Sequence, residues 1–153
     1  MIQKDAIAAC AQDVKNYAGS NRIRDILSAL DIRVTIKDAG NPLLHGDFAF
    51  LSFRNRKYHI LLSSSCPEAM RSFVLAHEIG HAILHKNSFE PHFGIYRRPT
   101  REEDEADYFA LKLLDVRFDF SEYKDSTIEQ TAFDLGISQR ATELLYEEWI
   151  ETK

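Results

Sequence analysis

The apolar positions along the chain change period twice. Near the start, Ile2, Ala6, Ala9, Cys10, Val14 and Tyr17 recur at helical intervals, and Gly19 ends that segment. Asn21 is placed to cap a second, short helix with Ile23, Ile26, Leu27 and Leu30 turned inward. The period then falls to two. Ile32 to Ile36 alternates and is β-branched, which predicts a strand. Gly40-Asn41-Pro42 marks a loop. Phe48 to Phe53 and Tyr58 to Leu62 flank the polar Arg54-Asn55-Arg56-Lys57, the pattern of a hairpin. From Cys66 the helical period returns. Ser65 and Glu68 have capping-box spacing with Pro67 in the first turn, and the predicted helix runs to about Lys86. A loop with Pro91, Gly94 and Pro99 follows, then a helix over roughly Thr100 to Asp115. Two short helices split by Gly136 and Ser138 complete the pattern. Helices, a small antiparallel three-stranded sheet, then helices predict an α+β fold. We expect one domain over 1–153: N-terminal helices in 1–31, the sheet in 32–63, central helices in 65–115 and C-terminal helices in 116–153.

Composition narrows the class. The 153 residues are 44% hydrophobic and 28% charged, which suits a globular chain and excludes a disordered or collagen-like one. The net charge of −5 disfavours a general nucleic-acid binder. Cys10 and Cys66 make neither a disulfide framework nor a metal-type pair, and read as reduced thiols of a cytoplasmic protein. Charges at Lys4, Asp5, Asp13 and Lys15 break up the N-terminus, so no secretory signal is expected. No apolar run approaches the ~20 residues of a membrane span.

One motif then dominates. His77-Glu78-Ile79-Gly80-His81 is an HExxH. Residues four apart share a helix face, so the two imidazoles can reach one metal ion. Glu78 flanks that ion and is placed to act as a general base. Phe73, Val74, Leu75, Ile79, Ala82, Ile83 and Leu84 make the helix apolar and predict its burial. Such a centre needs a third ligand. His85 is eight residues from His77, about 12 Å along a helix axis, and reads instead as a C-terminal residue that favours the helix dipole. Leu84 and Asn87 stand where a metzincin would carry Gly and a third His. His92 is a weaker candidate, on a loop.

The segment Thr100 to Leu111 offers carboxylates. Ala106, Phe109, Ala110, Leu113 and Leu114 define its inward face, and Glu103 and Asp107 lie on that side. Two inward carboxylates at i and i+4 repel unless neutralised. A metal on Glu103, with Asp107 accepting the second N–H of a ligating histidine, meets that need. Glu102 is the near rival, and Glu105 is read as turning toward Lys112. Thr100 and Glu103 could instead form a capping box. Arg101 and Asp104 read as solvated charges.

Together these segments resemble the ImmA/IrrE family of metallopeptidases. The resemblance rests on Phe73 to His85, on Glu103 to Ala110 and on the Leu113-Leu114 pair. It implies a zincin-like body and a gluzincin-like site: Zn2+ on His77, His81 and Glu103, Glu78 as general base, Asp107 behind a histidine. It further implies cleavage or inactivation of a helix-turn-helix repressor of a phage, mobile element or stress system. Asp115-Val116 follow the Leu pair where the family commonly has Met-Pro. Family members often carry a separate repressor-like domain; a chain of this length leaves no room for one, so a partner in trans is expected.

Oxyanion stabilisation falls by chemistry to His92, Tyr96 or Tyr108, and spacing selects none of them. Two other function classes compete. Thr131 to Ala141 has the cadence of a helix-turn-helix. Yet residues 119–153 hold nine Asp or Glu against three Lys or Arg, the wrong sign for phosphate contacts. No direct nucleic-acid contact is therefore expected, and Leu135, Ile137, Leu144, Leu145 and Trp149 are expected to pack on the body. The other class is a zinc-stabilised binding module without catalysis. Glu78 argues against it, because a structural ion needs no base beside it.

Overall fold

The computed structural model describes residues 2–86, 100–123 and 125–152. In chain order these form α1 (Lys4–Ala18), α2 (Ile23–Ala29), β1 (Arg33–Lys37), β2 (Ala49–Arg54), β3 (Lys57–Ser63), α3 (Arg71–Leu84), α4 (Thr100–Leu113), α5 (Ile128–Leu135) and α6 (Gln139–Glu151). The architecture is α+β, as the change of period predicts.

Local chemistry accounts for most boundaries. α1 ends at Gly19, which takes the left-handed conformation at φ 67° and returns its N–H to the last turn. Its buried face is Ile7, Ala11 and Val14, while Tyr17 is exposed. The inward stripe is thus rotated from the one the apolar spacing suggests, because small alanines mark either face. Asn21 does not cap α2. The Ser20 hydroxyl takes the Arg22 N–H instead and donates to Asp25. β2 and β3 meet through Asn55 and Arg56, both at positive φ, the twist a two-residue hairpin turn requires.

The sheet is mixed rather than antiparallel. Its order is β1-β3-β2, with β3 antiparallel to β2 and parallel to β1. The link from β1 to β2, which includes a 3-10 turn at Pro42–Leu44, carries β2 to the far side. The hairpin then returns β3 to the middle, running the same way as β1. A parallel pair needs such a crossover, and alternation alone cannot distinguish it from a meander.

α3 begins later than the capping-box spacing predicts. A 3-10 turn at Glu68–Met70 precedes it. Ser65 is engaged with the Ser63 hydroxyl and so does not cap the helix. α4 is central, buried through Ala106, Asp107, Tyr108, Phe109, Ala110 and Leu111. It packs against α3, α1 and α6, so its core-facing surface is wider than one amphipathic stripe. α3 approaches it closely at Gly80, where a Cβ would lie 3.1 Å from the Phe109 ring and 3.2 Å from Ala106 Cα.

Candidate metal centre

α3 and α4 together build one polar cluster inside this packing. On α3, His77 and His81 stand one turn apart with ring centroids 4.7 Å from each other. Their Nε2 atoms are 3.1 Å apart. From α4, the Glu103 carboxylate reaches both, at 3.0 Å from His77 Nε2 and 2.8 Å from His81 Nε2. Among the described residues, His77, His81 and Glu103 form a group whose metal-type donor atoms all lie within 4.8 Å of one another. Three donors converging from two helices, two nitrogens and one carboxylate, fit a divalent ion of the zinc type. Glu103 is therefore turned to the imidazoles and is not spent on a capping box.

The remaining nitrogens have partners. His77 Nδ1–H donates to Asp107 Oδ1 at 2.7 Å. Asp107 Oδ2 accepts from the Ser138 hydroxyl at 3.1 Å, while the same hydroxyl takes the Ala141 N–H and so caps α6. His81 is fully buried, and its Nδ1 lies 2.9 Å from Nδ1 of His85. His85 Nε2 lies 3.1 Å from Glu105 Oε1. His85 does stand at the C-terminal cap of α3, as expected, but it is buried there, and Glu105 turns to it rather than to Lys112. Sequence reasoning missed the bond from Ser138 to Asp107 and the His85–Glu105 pair. The signals were there in the i, i+4 step from His81 to His85 and in the N-cap position of Ser138.

Electrostatics follow from the packing. Burial opposes a charge on His77, but bonds to Asp107 and Glu103, with Glu78 nearby, outweigh it and push its pKa up to about 10. For Glu103, burial acts to raise the pKa, but the bonds to His77 and His81 prevail and hold the carboxyl well below its usual range. Glu78 is buried beside this cluster.

Other expected residues are placed elsewhere. Tyr108 is buried with its ring 5.2 Å from Lys112 Nζ and 5.9 Å from Lys4 Nζ. Burial, then the charges of Glu148, Asp5 and Glu151, raise its pKa. It faces α1 and α6, so the structure does not bring it to the histidines. His92 and Tyr96 lie outside the described residues, as does the predicted loop around them. Asp104 is not merely solvated. It holds Arg140 through two 2.9 Å bonds.

The helix-turn-helix cadence has an explanation in the packing. Gly136 sits at φ 70° against Ala69, and a Cβ there would lie 2.3 Å from the Ala69 oxygen. Ile137, Leu144 and Leu145 are buried as expected. Trp149 stacks with Tyr146 and sits near Phe120. No helix among the described residues is long and apolar enough to cross a membrane.

Two histidines from the HExxH helix α3 and a carboxylate from α4, converging in a mainly helical body, are the donor set of a metallopeptidase-type centre. The comparisons agree at the level of family. Residues 27–138 match the peptidase M78 family, described as the IrrE N-terminal-like domain. The chain belongs to that family. It is also 30% identical over 135 residues to "Uncharacterized immunity region protein 2" of Bacillus phage phi105, covering 85% of this chain and 79% of that protein.

Proposed function

We propose that this chain is a zinc-dependent endopeptidase that cleaves a helix-turn-helix regulator of a phage-type immunity system. The observation that carries the reading is the convergence of His77 Nε2, His81 Nε2 and the Glu103 carboxylate beside the buried Glu78. These three side chains would hold the ion, and Asp107 would orient His77 from behind. A bound zinc ion supplies a Lewis acid that makes water more acidic and polarises a peptide carbonyl.

The chain's own groups do the rest. Glu78 takes the proton from the attacking water and delivers it to the leaving amine. Asp107 holds the His77 ring with its Nε2 toward Glu103 and His81, where it would serve as a ligand. The regulator class draws on the family and on the immunity-region name of the phage relative.

Zinc content of the purified chain and of Glu103→Ala tests the centre. One zinc per chain, lost in the variant, is expected, and full retention by the variant would refute Glu103 as a ligand. Terminal-amine profiling of a host proteome with zinc-loaded wild type and Glu78→Gln tests the reaction. A cut in a helix-turn-helix regulator made by wild type alone is expected. Equal profiles would refute proteolysis and leave the zinc-stabilised binding module.

A further inference from the structure

We propose that His85 is a positioning residue for His81, anchored in turn by Glu105; this rests on the metal-centre reading above. The rings of His81 and His85 are 5.0 Å apart, and both residues are buried. Burying two imidazoles is costly unless their nitrogens are paired. The pairing found is a chain: His81 Nδ1 to His85 Nδ1 at 2.9 Å, then His85 Nε2 to Glu105 Oε1 at 3.1 Å.

Only one set of protons satisfies every link while His81 Nε2 keeps a free lone pair. His81 carries its proton on Nδ1 and donates it to His85 Nδ1. His85 must then carry its own proton on Nε2, and that proton goes to the Glu105 carboxylate. The opposite arrangement would put a proton on His81 Nε2, the atom that faces Glu103 and His77. It would also leave a bare nitrogen against the Glu105 carboxylate. Glu105 thus selects the tautomer of His85, and His85 selects the tautomer of His81.

The backbone helps to place the ring. His85 leaves the helix at φ −122°, ψ 40° while its N–H still bonds His81 O. Its side chain is thereby set beside the ring one turn back. α4 contributes to both histidines through different residues: Glu103 meets the Nε2 side, and Glu105, two residues on, closes the chain on the far side. His77 is oriented directly by a carboxylate, whereas His81 is oriented through a second imidazole.

The test uses the full chain stripped of metal, then titrated with Zn2+ against a chelator and with Co2+ by absorption. His85→Leu and Glu105→Leu are expected to weaken zinc binding roughly 10–100-fold and to shift the cobalt bands. His85→Asn, which keeps an acceptor near the Nδ1 position, is expected to recover affinity to within a few-fold of wild type, by about the same geometry. Histidine 15N spectra of zinc-loaded wild type should show His81 protonated on Nδ1 and His85 on Nε2. That readout needs no variant to fold. The opposite tautomer for His85, or His85→Leu binding zinc as tightly as wild type with unchanged cobalt bands, would overturn the positioning role alone. Wild type that takes up no zinc would overturn the metal-centre reading itself.

Discussion

Replacing Gly80 with alanine would add a methyl group where α4 already stands. The new Cβ would lie 3.1 Å from Phe109 Cδ1, 3.2 Å from Ala106 Cα and 3.3 Å from Ala106 O. Comfortable carbon contacts are about 3.5–4.0 Å, so α3 and α4 must separate by a few tenths of an ångström. Two of the three atoms are backbone, so no side-chain rotation relieves the contact. α4 cannot drift freely, because α1 and α6 pack on it. Alanine gains about 0.5–1 kcal/mol over glycine in a helix interior. Overpacking a core costs about 1–3 kcal/mol. With the neighbours held on both sides, a net loss of up to about 2.5 kcal/mol, centred on about 1 kcal/mol, is expected. For a chain of this size that lowers Tm by up to roughly 10 °C. The same displacement moves Glu103, one turn before Ala106, away from His77 and His81. Zinc affinity should therefore fall even in the folded variant. Thermal melts and zinc titration of Gly80→Ala check both effects. A Tm at or above wild type with unchanged zinc affinity would refute the close approach as the element that sets the centre.

Further outcomes follow from the same geometry. Asp107→Ala removes the acceptor for His77 Nδ1–H and should weaken zinc binding roughly 10–100-fold, read by chelator competition. Ser138→Ala loses the α6 cap and the bond to Asp107, and should cost about 1–2 kcal/mol in denaturant melts. That loss should shrink in an Asp107→Ala background, because one bond is then already gone. The metal-free chain should depend on pH in a defined way. His77 has a raised pKa, so its contribution is full below the unfolded value of 6.5 and is lost as pH rises through about 10. Glu103 has a lowered pKa, so its contribution is present above the unfolded value of 4.5 and is lost as pH falls below it. Stability of the metal-free chain should thus be highest near pH 5–6.5 and decline toward pH 10 in melts across that range. Zinc must displace the His77 proton, so its affinity should rise up to about tenfold per pH unit through neutrality.

Much of the centre is a property of single helices and was legible in the order of residues. The four-residue step from His77 to His81 puts both imidazoles on one face of any α-helix, whatever surrounds it. The same step places Glu103 and Asp107 together on α4. The hairpin, its polar turn, the Gly136 break and the Ser138 cap are likewise local, because turn and cap chemistry acts over a few residues. Helical period fixes the angle at which a side chain leaves an axis, but not which neighbour waits at that angle. Only the packing of α3 on α4 at Gly80 decided that the Glu103 carboxylate meets both imidazoles and that Asp107 reaches back to Nδ1. Only the placement of α4 between α3, α1 and α6 turned Tyr108 toward Lys4 and Lys112. The parallel pairing of β1 with β3, the second bond of Asp107 to Ser138, and the chain from His81 through His85 to Glu105 are likewise long-range. They join residues that are distant in sequence or on separate elements, and the tertiary packing alone brings them within bonding distance.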